Sequence, residues 1–363
     1  MGAIRVLVID DSVVIRKIVT DILSEAPGIE VAGTAANGKI GLAKIEQLNP
    51  DLVTLDIEMP VMSGLEALPE IRKLRPNMPV VMFSASTGLG AEATLDALAL
   101  GASDYVAKPA SAGSSAAAIE SVRKNLIPKI NALCHRDDKP IPQRAHGIAA
   151  KALKESTSPR RIELVAIGVS TGGPNALAAM MPHLPADFPV PIVVVQHMPP
   201  VFTGYLAKRL DSECKVGVRE GEAGAILEPG ACWIAPGGLH MIVARRGKKL
   251  VLELNEAPRE NQCRPAVDVL FRSAAAATGS RTLAVVMTGM GQDGLHGCEE
   301  IREQGGQIIA QDEASSVVWG MPGFVSKAGL ADETLPLSEI AQAIVRRVSL
   351  GRSAAKGLAN HGN

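Results

Sequence analysis

The sequence predicts two α/β units in one chain. The first is a doubly wound parallel sheet of five strands, and the second is mainly parallel with some antiparallel strands. Three observations predict this. Over residues 1–134, short apolar runs alternate five times with stretches of helical spacing. Most of those runs are apolar throughout rather than at every second position, as strands covered on both faces should be. The alternation stops after Leu133 and resumes near Ile162.

Taken in order, Ile4–Ile9, Glu30–Ala35, Leu52–Leu55, Val80–Phe83 and Tyr105–Ala107 read as strands. Ser12–Glu25, Gly38–Leu48, Gly64–Leu74, Ala91–Leu100 and Ala116–Leu133 read as the helices between them. Ser12 is placed to cap the first helix with its hydroxyl. In doubly wound sheets, functional groups gather outside the carboxyl ends of the strands. Residues 135–161 read as a linker, with a helical turn at Ile148–Lys154. Asp137-Asp138-Lys139-Pro140 is charged and proline-bearing, and Glu155-Ser156-Thr157-Ser158-Pro159 is polar.

In the second unit, residues 162–350, the strand candidates are Ile162–Ile167, Val190–Val195, Ala231–Ile234, Met241–Ala244, Leu250–Leu254, Thr282–Met287 and Gln307–Ala310. The helix candidates are Asn175–Met181, Phe202–Asp211, Pro265–Ala277, Leu295–Gln304 and Leu337–Val348. The strand-rich middle, 215–255, is expected to form an antiparallel edge or an insertion. Residues 351–363, small and polar, are expected to be a disordered tail.

Composition narrows the function. With 363 residues, 47% hydrophobic and 21% charged, the chain reads as an ordinary soluble globular protein of two domains. A net charge of −1 gives no electrostatic footprint for nucleic acid or an anionic membrane. No apolar run approaches the roughly 20 residues of a membrane span, and Met1–Asp10 lacks the apolar core of a signal peptide. A monomer located in the cytoplasm is the expectation. Five scattered cysteines, Cys134, Cys214, Cys232, Cys263 and Cys298, include no C-x-x-C pair and read as buried or incidental thiols rather than a metal site.

Two groups of residues carry chemistry. In the first unit Asp10 and Asp11 follow one strand and Asp56 follows another. Carboxylates brought together at adjacent strand ends repel unless a cation neutralises them, and all-oxygen ligation with waters suits Mg²⁺. Ser84 and Lys108 end two further strands, where a hydroxyl and an ammonium can meet phosphoryl oxygens. Lys108-Pro109 suggests a tight turn with a cis peptide. With these motifs, residues 1–134 resemble a two-component receiver domain, flavodoxin-like in fold. The resemblance implies that Asp56 accepts a phosphoryl group and that Asp10, Asp11, Asp56 and the carbonyl of Glu58 hold Mg²⁺. It also implies that Ser84 and Lys108 bind the phosphoryl group, that Tyr105 is an aromatic switch residue, and that a histidine kinase is the phosphodonor.

In the second unit Gly168-Val169-Ser170-Thr171-Gly172 has the spacing of a nucleophile elbow, where glycines relieve crowding as a strand turns into a helix. Gly172-Gly173-Pro174 can equally be a phosphate-cradling turn. A serine needs a base, and among seven histidines His197 directly follows a long apolar strand. His183 and His296 have no such placement, and His240 lies in a glycine-bearing loop. The base needs an orienting carboxylate. Asp293 follows the glycine-rich Thr288-Gly289-Met290-Gly291-Gln292, whose N–H groups can converge on an oxyanion. Asp312 is its rival, and Asp268 reads as a salt-bridge or capping residue in a helix.

The chain order Ser, His, Asp differs from that of the α/β-hydrolases. Residues 162–348 instead resemble the catalytic domain of the chemotaxis protein-glutamate methylesterases (CheB). The matching segments are Gly168–Gly173, Gln196-His197-Met198-Pro199, Arg264-Pro265 through Phe271, Thr288–Gly294 and Gly320-Met321-Pro322. The resemblance implies Ser170 as nucleophile, His197 as general base and acid, and Asp293 as its orienter. Thr171 would position the imidazole, the Met290 N–H would serve the oxyanion, and Arg264 would lie near the cleft or pack the adjacent helix. It further implies hydrolysis of glutamate methyl esters on the cytoplasmic domains of methylated chemoreceptors, with deamidation of glutamines as the same acyl chemistry. Hydrolysis would need no cofactor, and the unphosphorylated receiver would inhibit the catalytic half.

Overall fold

The computed structural model describes residues 2–85, 87–108, 116–134 and 161–359, with side chains up to Leu350. The expected linker up to Arg160, its helical turn, and the Lys108–Pro109 peptide lie outside the described residues. The first unit contains β1 (Ile4–Ile9), α1 (Val13–Ser24), β2 (Ile29–Ala35), α2 (Gly38–Leu48), β3 (Leu52–Asp56), α3 (Gly64–Leu74), β4 (Val80–Ser84), α4 (Gly88–Ala99), β5 (Asp104–Ala107) and α5 (Ala116–Leu133). The strand order is β2-β1-β3-β4-β5 with every pair parallel. All residues of β3 and β4 are buried, which is why their sequences are apolar without alternation. The Ser12 hydroxyl caps α1 by accepting from the Ile15 N–H, as expected. The strand order reverses between β1 and β3, so the carboxyl ends of these strands open the crevice in which Asp10 and Asp56 meet.

The second unit runs β6 (Leu164–Val169), α6 (Gly173–Met180), β7 (Ile192–Gln196), α7 (Phe202–Glu213), β8 (Gly217–Glu220), β9 (Ala231–Ile234), β10 (His240–Arg246), β11 (Lys249–Asn255) and α8 (Val267–Thr278). It continues with β12 (Thr282–Val286), α9 (Leu295–Glu303), β13 (Gln307–Gln311), α10 (Met321–Lys327), β14 (Glu333–Leu335) and α11 (Leu337–Ala359). Seven strands form one parallel sheet in the order β14-β13-β12-β6-β7-β9-β8. Here the order reverses at β6, which lies between β7 and β12.

The strand-rich middle holds the expected antiparallel insertion, β10 with β11, but its contribution to the sheet edge is parallel rather than antiparallel. β8 and β9 extend the parallel sheet, and only β10 and β11 are antiparallel, as a separate two-stranded sheet. β8 and β14 had no apolar run to announce them, because each is a short, partly exposed edge strand. The last helix continues to Ala359, past Val348 and through most of the expected tail. Leu350, Ala354, Ala355 and Lys356 are good helix formers and no proline intervenes. Among the described residues no helix is long and apolar enough to cross a membrane.

The two units touch through α4 of the first and α6 and α7 of the second. Asn175 Nδ2 donates to the Leu98 carbonyl at 2.8 Å, and Arg209 Nη1 donates to the Leu95 carbonyl at 2.8 Å. The Tyr105 ring stacks on Phe202, with centroids 4.9 Å apart and planes 11° from parallel. Met290 and Val318, beside the loop that carries Asp293, pack against the hydrophobic cluster that includes Val106 and Val122 of the first unit.

Candidate active site

Two sites lie at strand ends, one in each unit. In the first, oxygens of Asp10, Asp11 and Asp56 lie within 4.8 Å of one another. Lys108 Nζ stands 3.0 Å from Asp10 Oδ2 and 2.7 Å from Asp56 Oδ2. Both oxygens are buried without a well-aligned hydrogen bond. Burial pushes the Asp56 carboxyl up to about 6, against the pull of Lys108 and with Asp10 adding repulsion. Buried, under-satisfied carboxylate oxygens are what a hard divalent cation with waters completes, so these residues fit Mg²⁺. Asp11, Asp56, Glu58, Ser84 and Lys108 line a cavity of about 470 Å³. Ser84 faces inward: its hydroxyl donates to the Gly90 carbonyl at 2.9 Å and accepts from Thr94 Oγ1 at 2.5 Å. Tyr105 is buried against Phe202.

In the second, the parallel register does the assembling. Val169 pairs with Gln196 at the ends of β6 and β7, so the next residues, Ser170 and His197, emerge side by side. The His197 N–H donates to the Val169 carbonyl at 3.2 Å, and the Ser170 N–H donates to Thr288 O, just beyond β12, at 3.0 Å. The turn is packed too tightly for side chains. A Cβ on Gly173 would sit 2.0 Å from Gln196 Oε1, and Gly172 has φ +75°.

His197 Nε2 lies 2.7 Å from Asp293 Oδ2. Asp293 is held in turn by the Val267 N–H at 2.7 Å, the Asp268 N–H at 3.0 Å and Asn261 Nδ2 at 2.9 Å, the first two from the N-terminus of α8. Burial alone would push the imidazole down, but its bond to Asp293, contact with Cys263 and the Asp293 charge hold its pKa well above the ordinary histidine value. Burial would likewise raise Asp293, yet the His197 bond and charge and the α8 N–H groups hold it below the usual carboxylate range.

The structure brings Asp293, not Asp312, to the imidazole; Asp312 closes a turn through the Ser315 N–H and hydroxyl. Ser170 is adjacent, but among the described residues no hydrogen bond joins its hydroxyl, or that of Thr171, to the ring. Asp293 holds one ring nitrogen, and the other faces Cys263 Sγ at 3.6 Å. In the loop before Asp293, the Thr288 and Gly289 N–H groups are bonded to Gln311 Oε1 and Val318 O. The Met290 N–H has no acceptor among the described residues. Arg264 Nη1 donates to the carbonyls of Glu256 and Ala257 and so folds its own loop. His240 bridges the Pro258 carbonyl and the Ala266 N–H and pins both ends of that loop.

Sequence reasoning missed Asn261 and Cys263 as neighbours of the site, since neither follows an apolar strand. Asp268 is a capping residue as expected, but of the neighbouring helix. Fully buried, it accepts from the Gly294 and Gly297 N–H groups at 3.0 and 2.7 Å and so fixes the segment carrying Asp293. Burial raises its carboxyl. Asn261, placed by a positive φ of 50°, bridges Asp268 and Asp293 with one amide nitrogen.

A serine beside an imidazole held by a buried carboxylate is an arrangement for nucleophilic acyl transfer. Comparison with known proteins agrees. Residues 165–344 match the family model for the CheB methylesterase, and residues 6–120 match that for the response regulator receiver domain. The chain is 54% identical over 354 residues to a protein-glutamate methylesterase/protein-glutamine glutaminase of Trichodesmium erythraeum, covering 96% of this chain and all of that protein. It is 51% identical over 357 residues to one of a Nocardioides species, covering 97% of each chain. Among solved structures, the CheB methylesterase catalytic domain of Thermotoga maritima is similar at 43% identity and a TM-score of 0.50, covering 52% of this chain and 99% of that one.

Proposed function

The chain belongs to the CheB methylesterase family, and from that premise we propose how its residues divide the work. It is a serine hydrolase, a protein-glutamate methylesterase and protein-glutamine glutaminase under the control of a phosphorylated receiver. Ser170 is the nucleophile. The observation that carries this is the Nε2–Asp293 bond of 2.7 Å, which leaves Nδ1 as the ring nitrogen able to take a proton from the neighbouring serine.

Ser170 Oγ attacks the ester carbonyl of a methylated glutamate while its proton passes to Nδ1, and Asp293 stabilises the imidazolium. The carbonyl oxygen takes up negative charge, and the Met290 N–H, which has no acceptor among the described residues, is the donor on hand to meet it. The C–O bond to methoxide breaks, and the imidazolium returns its proton to release methanol. Water, deprotonated by the same imidazole, attacks the glutamyl-serine ester, its bond to Ser170 Oγ breaks, and the imidazolium returns the proton to that oxygen. A glutamine substrate follows the same path with ammonia leaving. The substrate we assign is the cytoplasmic domain of a chemoreceptor.

In the receiver, Asp56 attacks the phosphorus of a kinase phosphohistidine, the P–N bond breaks to release the kinase imidazole, which takes a proton from solvent, and Lys108 balances the charge of the new acyl phosphate. Bound by Asp10, Asp11, Asp56 and Glu58, Mg²⁺ would neutralise charge on the transferring phosphoryl group. The contacts of α4 with α6 and α7, and the Tyr105–Phe202 stack, support a receiver that restrains the catalytic rim until Asp56 is phosphorylated.

Methanol release from methylated receptor membranes, with and without a small-molecule phosphodonor and Mg²⁺, tests the reading. Release should vanish in Ser170→Ala, and the phosphodonor should accelerate it only when Asp56 is intact. Release that persists in Ser170→Ala removes Ser170 as the nucleophile, and acceleration in Asp56→Asn removes Asp56 as the phosphoacceptor.

A further inference from the structure

We propose that Cys263 and His197 together form a site for a thiophilic divalent cation, Zn²⁺, whose binding silences the esterase. The silencing rests on the reading of His197 as the base; the binding does not. His197 Nδ1 and Cys263 Sγ lie 3.6 Å apart. Zinc–nitrogen bonds of about 2.0–2.1 Å and zinc–sulfur bonds of about 2.3 Å, closed at a tetrahedral angle, set the two donors roughly 3.5 Å apart. The pair is therefore already at the required bite.

The outer partners are in place. A metal-bound histidine usually gives its other ring N–H to a carboxylate, which fixes the tautomer and aims the lone pair. His197 Nε2 donates in this way to Asp293 Oδ2 at 2.7 Å, so the contact that prepares Nδ1 as a base also prepares it as a ligand. The thiol is fixed as well. Cys263 and Glu260 exchange both backbone hydrogen bonds, at 2.8 and 3.1 Å, and Arg272 clamps the Glu260 carboxylate with two bonds of 2.6 Å.

Both donors are reachable: the His197 side chain keeps 12% of its surface exposed and Cys263 is half-buried. Cys232 and Cys298, by contrast, are fully buried. A soft thiolate and an imidazole select zinc over magnesium, which stays with the all-oxygen cluster of the receiver. Binding releases the thiol proton to solvent and ties up the Nδ1 lone pair that Ser170 needs, while water fills the remaining positions.

The test uses the full chain. Co²⁺, a spectroscopic stand-in for Zn²⁺, should give a thiolate-to-cobalt charge-transfer band that Ser170→Ala keeps and Cys263→Ser loses. Zn²⁺ should suppress methanol release in the parent, and a chelator should restore it. Cys263→Ser and Cys263→Ala, each scaled to its own metal-free rate and checked for folding by circular dichroism, should be at least about tenfold less sensitive. A cobalt band unchanged in the Cys263 variants, no band in the parent, or equal zinc sensitivity in parent and variants overturns the proposal. If the parent releases no methanol at all, the methylesterase reading fails, and the cobalt spectrum still decides the metal site.

Discussion

At the scale of single residues, the two sites use burial in opposite ways. Asp293 is buried yet held ionised, because two α8 N–H groups, Asn261 and the imidazole all donate to it. Asp293→Asn would keep the shape but favour the wrong histidine tautomer, and should lower kcat on the order of 10³–10⁴-fold in single-turnover assays. The imidazole must be neutral to accept a proton, and its pKa lies above the ordinary value. The ascending limb of kcat/KM on the acidic side, which follows deprotonation of His197, should therefore lie above pH 6.5, and a limb at or below 6.5 would show that Asp293 does not hold the imidazole protonated.

Asp56 is the converse, a buried carboxylate raised from 3.8 to about 6. Because the folded pKa exceeds the unfolded one, ionisation costs stability, and that cost appears as pH rises from about 4 to above 6. Asp56→Asn should stabilise the protein at pH 7 by on the order of 2–3 kcal/mol, from roughly two pKa units at about 1.4 kcal/mol each, with the pull of Lys108 already included in the shift. The gain should disappear near pH 4 in urea titrations without Mg²⁺.

At the scale of elements, strand register and close approach place the nucleophile. Ser170 and His197 are neighbours because β6 and β7 pair Val169 with Gln196. Gly289 lets the β12 loop come in beside Ser170, since a Cβ there would lie 2.4 Å from Met321 Sδ and 2.8 Å from Ser170 Cβ. Gly289→Ala should fold with native far-UV circular dichroism but lose about 10²-fold in kcat, as displacement of a reacting group by an ångström does. Loss of folding instead would make the position a packing requirement of the sheet.

At the scale of the whole molecule, the receiver is seated on the elements that follow the catalytic residues. α6 begins just after Ser170 and α7 just after His197, and both touch α4. Removing residues 1–150 should raise basal methanol release above that of the intact, unphosphorylated protein. Phe202→Ala, which removes the partner of Tyr105, should raise it part of the way. A truncated enzyme no faster than the intact one would show that the contact does not inhibit.

Much of this was legible in the chain. Apolar runs buried on both faces announce parallel strands; Asp10, Asp56, Ser170 and His197 come at the ends of such runs, and Asp293 follows one through the glycine-rich residues 288–292, so local pattern puts all five on a strand-end rim. The edge strands β8 and β14 were hidden because half-exposed strands carry no continuous apolar signal. Asn261 and Cys263 were hidden for a different reason. They sit on a loop whose path is set by distant contacts, with His240 pinning its ends and Arg272 its turn, so no periodicity marks them. The inward turn of the Ser84 hydroxyl also depends on what the side chain meets after the sheet has closed. Residue type and spacing fix which groups reach the rim, because they act along the chain. Which atoms then touch is decided by packing between segments far apart in it.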